Sequence, residues 1–100
     1  MNIYVAGPMT GLPEFNFPAF FSAARLLRSK GFEVFNPAEV KIINGEPYSY
    51  YMRKDIALLI QCDEIFLLQG WRKSKGARLE YRIAKILGMK ISEQADEGTL

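Results

Sequence analysis

Four short apolar runs, each closed by a chain breaker or a polar stretch, constrain this sequence more than any other feature. They are NIYVAG (2–7), FEVF (32–35), EIFLL (64–68) and MKIS (89–92). EIFLL is continuously apolar, as in strands buried on both faces of a parallel sheet. Between the runs lie three segments of helical period: Pro18 to about Ser29, Tyr50 to about Gln61, and Ser74 to about Leu87. The order β-α-β-α-β-α-β predicts an α/β domain of three layers, flavodoxin-like (Rossmann-like), with a parallel sheet of about four strands. One domain over 1–92 is expected, followed by a polar C-terminal tail, 93–100.

The punctuation agrees with this order. Gly7-Pro8 ends the first strand, and MTGLPEFNF reads as a loop carrying two exposed phenylalanines. Pro18 suits the first turn of a helix after Asn16, with Phe20, Phe21, Ala24 and Leu27 as its apolar face. Gly31 stops that helix. Asn36-Pro37 opens a second loop, AEVKIINGEPY, with Asn44-Gly45 as its turn. Ser49 is the expected N-cap of the second helix, and Gly88 stops the third.

Composition narrows the chemistry. The chain has 100 residues, is 49% apolar and carries a net charge of +2, which fits a folded domain and gives no basic stripe for a nucleic-acid duplex. No apolar run is long enough to span a bilayer, so no membrane partner is expected. MNIYVAGPM enters a strand without a basic leader, and with one cysteine, Cys62, a cytoplasmic location is expected. Histidine is absent, which excludes His-based triads, His metal ligands and a His general base; no metal site is expected. Acid–base or nucleophilic work would fall to carboxylates, tyrosines or lysines.

Two carboxylates stand on apolar helical stripes. The helical neighbours of Glu80 are Gly76, Ala77, Ile83 and Ala84; those of Asp55 are Tyr51, Met52, Leu58 and Leu59, none of them basic. A carboxylate on a core-facing stripe costs free energy unless it is hydrogen-bonded, paired or opened to a cleft. Both could also sit at the edge of a stripe, partly solvated or paired across helices. In such a sheet, ligands bind beyond the carboxyl ends of the strands, here Gly7 to Thr10, the loop after Phe35, and Gln69 to Gly76. Gly7, Pro8 and Met9 are therefore expected to meet substrate. So are Ser74, Lys75 and Gly76, where a helix start offers N–H groups and Ser74 a hydroxyl to an anion, or serves only as an N-cap. The compact basic cluster Arg72, Lys73, Lys75, Arg78 adjoins this turn. Asp63 reads as a turn residue, Tyr4 as a core tyrosine and Trp71 as packing at the rim.

IYVAGPM, KDIALLIQCDEIFLL and SKGARLEYRIAKILGMKI, in this order and spacing, resemble the nucleoside 2-deoxyribosyltransferase superfamily, which includes the 2′-deoxynucleoside 5′-phosphate N-hydrolases. The chain looks closest to a small phage and bacterial branch. The resemblance implies that Glu80 is the nucleophile at the anomeric carbon, that Asp55 positions it and handles the leaving base, and that Tyr4 stands beside the sugar. It places Gly7 in the first loop and Ser74 and Gly76 at a 5′-phosphate. It implies no cofactor. Where those hydrolases carry a Ser and an Arg in the first loop, this chain has Pro8 and Thr10, and Arg82 replaces a frequent glycine.

The expected activity is cleavage of the N-glycosidic bond of a nucleoside or nucleotide by hydrolysis or base transfer. The alternatives are a non-catalytic module that binds or sequesters a nucleotide, and an interaction domain presenting Phe15, Phe17 and Trp71. Apolar residues on the second helix (Tyr50, Tyr51, Ile56, Ile60), together with the oligomeric habit of the superfamily it resembles, lead to an expected homodimer or larger homo-oligomer.

Overall fold

The computed structural model describes residues 1–40 and 45–95. Its sheet has four strands: β1 (Asn2–Ala6), β2 (Glu33–Phe35), β3 (Glu64–Leu67) and β4 (Lys90–Glu93). They run parallel in the order β2-β1-β3-β4. The helices are α1 (Phe17–Ser29), α2 (Pro37–Val40), α3 (Tyr48–Leu59) and α4 (Lys75–Ile86). The fold is the expected three-layer, flavodoxin-like one. The chain leaves β1 toward β2 and then crosses back over β1 to reach β3. The order therefore reverses at β1, and beyond its carboxyl end a crevice opens. No described helix is long and apolar enough to cross a membrane.

Alternation along β1 divides the interior in two. Ile3 and Val5 face α1 and pack with Phe20, Ala23, Ala24 and Leu27. Tyr4 and Ala6 face the opposite layer with Ile65 and Leu67 of β3, against Leu59 of α3 and Ala77 and Ala84 of α4. Register reinforces the division, since Tyr4 pairs with Ile65 and Ala6 with Leu67. Small residues on α4 let that helix lie close to the sheet, which brings the next side chain on the same stripe, Glu80, toward Tyr4.

Several boundaries differ from expectation. The second loop opens with a turn of helix, α2. It is nucleated by Asn36, whose Oδ1 accepts from the N–H of Ala38 at 3.0 Å. Arg28 clamps it from α1, donating from Nη2 to Glu39 Oε1 at 2.8 Å and to the carbonyl of Val34 at 2.9 Å. Ser49 does not cap α3. The helix starts at Tyr48 with Pro47, extended at φ −66° and ψ 158°, in the cap position. Glu93, expected in the tail, belongs to β4 opposite Leu67, and the N–H of Gln94 continues the ladder to the carbonyl of Leu67 at 2.8 Å. Asn44 and residues 96–100 lie outside the described residues. Asp63 does tie the chain: its carboxylate accepts from the N–H of Asn2 at 3.1 Å.

Candidate active site

The site starts from β1. Tyr4 is fully buried in the central strand, and its hydroxyl donates to Oε2 of Glu80 at 2.5 Å. Glu80 and Asp55 are buried too, at 5% and 6% exposure. Burial pushes the Tyr4 phenol well above its ordinary value of 10.0, and the charges of Glu80 and then Asp55 push it further. The phenol therefore keeps its proton and remains a donor to the carboxylate. Two carboxyl groups from two helices converge on one tyrosine.

A cavity of about 630 Å³ opens over this cluster, with Tyr4, Asp55 and Glu80 in its wall. Gly7, Pro8 and Met9 form the side that follows β1, and Ser74, Lys75 and Gly76 form the side at the start of α4. Every site residue expected from sequence thus lines one cavity, at the carboxyl edge where the strand order reverses.

The two glycines are fixed by packing. A Cβ on Gly7 would stand 2.8 Å from Cβ and 2.9 Å from Cδ1 of the buried Leu68, so the first loop can press against the end of β3 only without one. Gly76, expected to meet substrate, lines the cavity and is also closely packed. The space its Cβ would enter is held by the Tyr48 hydroxyl, 3.1 Å away, and the sulfur of Met52 at 3.2 Å. Gly76 therefore sets the close approach of α3 and α4. Ser74 is the N-cap of α4, its Oγ accepting from the N–H of Ala77 at 3.1 Å. The hydroxyl proton is still available to an acceptor in the cavity.

The basic cluster divides. Lys73 and Lys75 line the cavity; Arg72 and Arg78 do not. Arg72 lies over the Trp71 ring, 4.6 Å from its centroid, and reaches Glu93 at 3.4 Å. Trp71 itself is buried, packs on Tyr81 and donates to Oε1 of Glu93 at 3.0 Å, which is the packing role expected of it.

Residues 1–93 match the profile of a family described as a domain of unknown function, DUF4406. The chain belongs to that family. No curated protein matches it.

Four aromatic residues of this DUF4406 domain reach the cavity without having been expected there: Phe15, Phe20, Tyr48 and Tyr51. Tyr48 was hidden by the expectation that α3 starts later; Pro47 was the available signal, because proline favours the edge of a helix. Its phenol is also pushed above 10.0, by burial and by the charges of Glu80 and Asp55. Phe15 arrives by a backbone conformation that no sequence pattern announces. Glu14, Phe15 and Asn16 all adopt left-handed φ angles, of 53°, 53° and 59°. Asn16, the residue before α1, spends its amide on the carbonyl of Pro8 at 3.0 Å and does not cap the helix. That bond ties the turn before α1 to the loop after β1.

Proposed function

We propose that this DUF4406 domain cleaves the N-glycosidic bond of a (deoxy)nucleoside or nucleoside 5′-monophosphate, with Glu80 as nucleophile and water or a second base as acceptor. The observation that carries this reading is the Tyr4–Glu80 hydrogen bond in the wall of the cavity, with Asp55 in the same wall. A carboxylate buried among apolar groups is costly, and one oriented by a phenol toward an open crevice has a use for that cost. The sequence resemblance to nucleoside 2-deoxyribosyltransferases assigns the same three residues the same roles.

The chemistry follows from the charge that develops. As the C1′–N bond breaks, the sugar takes on oxocarbenium character, which a carboxylate at C1′ stabilises and traps as a glycosyl ester. The electron pair of the broken bond leaves with the base, and Asp55, in its acid form, passes it a proton. Water then attacks the ester and returns a proton to Asp55, or a second base attacks in its place. Either route regenerates the Glu80 carboxylate. Tyr4 holds that carboxylate in one orientation without being consumed.

The test is a panel of ribo- and deoxyribonucleosides and their 5′-monophosphates, followed by chromatography for free base. Glu80→Gln should lower the rate by roughly three orders of magnitude or more while leaving the far-UV circular dichroism unchanged. A Glu80→Gln protein that turns over like its parent would sink the assignment. Binding without base release in the parent would make the domain a nucleotide-binding module instead.

A further inference from the structure

The segment before α1 holds a conformation that needs a reason. Left-handed φ is natural for glycine and tolerable for asparagine, but it costs free energy for residues such as glutamate and phenylalanine. Glu14 (φ 53°, ψ 29°) and Phe15 (φ 53°, ψ 26°) both adopt it, in sequence, with Asn16 behind them. Consecutive outliers persist only where surrounding contacts over-determine them. Here the contacts are the Asn16 amide on the carbonyl of Pro8, the N–H of Leu12 on the carbonyl of Met9 at 3.2 Å, and the N–H of Phe15 on the carbonyl of Leu12 at 3.0 Å.

The strain does not serve burial. Phe15 remains 43% exposed. Its ring is braced by Phe17, with centroids 5.9 Å apart and planes tilted by 43°, and Phe17 packs on the α1 core. Phe15 nevertheless lines the same cavity as Tyr4, Asp55 and Glu80. A strained backbone thus holds a half-exposed aromatic ring, braced by Phe17, in the cavity that also holds the carboxylate cluster.

We propose that Phe15 is the specificity-determining residue for the planar part of the ligand, and that the left-handed run exists to pre-position its ring against a heterocyclic base. This rests on the proposed function for the identity of the ligand, and adds to it the residue that selects for a base. Fixing the ring beforehand reduces the ordering that binding must otherwise supply. The polar part of the ligand would then lie toward the carboxylates and the start of α4.

The test is calorimetric titration of the full chain carrying Glu80→Gln, so that ligand is not consumed, with and without Phe15→Ala. The ligands are the four deoxynucleoside 5′-monophosphates and, as a probe lacking the base, 2-deoxyribose 5-phosphate. Losing one aromatic stacking partner should raise the Kd of the tightest-binding monophosphate roughly ten- to a hundredfold. The Kd of 2-deoxyribose 5-phosphate should not change. Phe15→Leu, which keeps apolar bulk without a planar face, should fall between the two proteins, and Phe15→Tyr should match the parent. An unchanged monophosphate Kd in Phe15→Ala, or an equal loss for the probe without a base, overturns the proposal and leaves the proposed function standing. If neither the Glu80→Gln chain nor the unsubstituted chain binds any of the monophosphates, the proposed function fails and this assignment fails with it.

Discussion

Replacing Tyr4 by phenylalanine removes one oxygen from the middle of the domain, and the structure sets the size of the effect. The phenol is fully buried and donates to a carboxylate that is itself 5% exposed, so bulk water has little access to replace the lost donor. A hydrogen bond to a charged partner contributes about 1.5–3 kcal/mol. Phenylalanine no longer buries a hydroxyl, which offsets part of that, so a loss of ~2 kcal/mol at neutral pH is expected. For a domain of this size that lowers Tm by roughly 8–16 °C. The dependence on pH is more diagnostic. The folded phenol titrates well above 10.0 and the unfolded one near 10.0, so its contribution is intact below pH 10. Above that pH the unfolded chain loses the proton first, and the parent loses about 1.4 kcal/mol per pH unit from this group until the folded pKa is reached. The variant lacks this slope. Urea titrations of both proteins from pH 7 to 11 should therefore show a gap that closes above pH 10. A gap that stays constant through pH 11, or none at pH 7, would refute the coupling of Tyr4 to Glu80.

Burial pushes the Cys62 thiol from 9.0 up to about 11, with Asp63 adding to it, so Cys62→Ala should abolish a loss of stability that the parent shows between those two pH values. That difference is measured by chemical denaturation at fixed intervals of pH, and identical profiles for the two proteins would contradict it. Gly7→Ala forces a Cβ within 2.8 Å of Leu68 and should cost about 1–3 kcal/mol, read from the urea midpoint; a midpoint equal to the parent's would show that β1 and β3 can part there cheaply. Ser74→Ala with Lys75→Ala should erase any preference for a nucleoside monophosphate over its nucleoside, and should cost about 1 kcal/mol of stability through the lost cap. Salt should narrow the same preference in the parent, and equal affinity for the two ligands at low salt would reduce the basic turn to a solvated helix cap.

The parallel sheet was legible because each strand declares itself in a run of apolar residues that a helix could not accommodate at its period. Glu80 and Asp55 were legible for the opposite reason, as polar residues where the helical period demanded apolar ones. Tyr4 was read as core, and it is core; what the period could not show is that its hydroxyl finds a carboxylate 76 positions away. Phe15 was beyond reach because left-handed backbone at glutamate and phenylalanine runs against their local preference and is imposed by contacts with Pro8 and Met9. The packing role of Gly76 was hidden for a related reason. Its neighbours Tyr48 and Met52 come from another helix, and only tertiary packing brings them to it.

The Tyr4–Glu80 contact joins residues separated by 76 positions and so closes a loop through most of the domain. Nothing on the ribosome can carry this dyad until α4 has emerged and docked, since one member lies in β1 and the other in α4, 76 positions later. A nascent or clipped chain that lacks α4 holds the β1 tyrosine without its carboxylate partner. Appearance of the Tyr4–Glu80 bond would therefore report that α4 has docked against the sheet, and any ligand that needs both groups would discriminate such molecules from every earlier form.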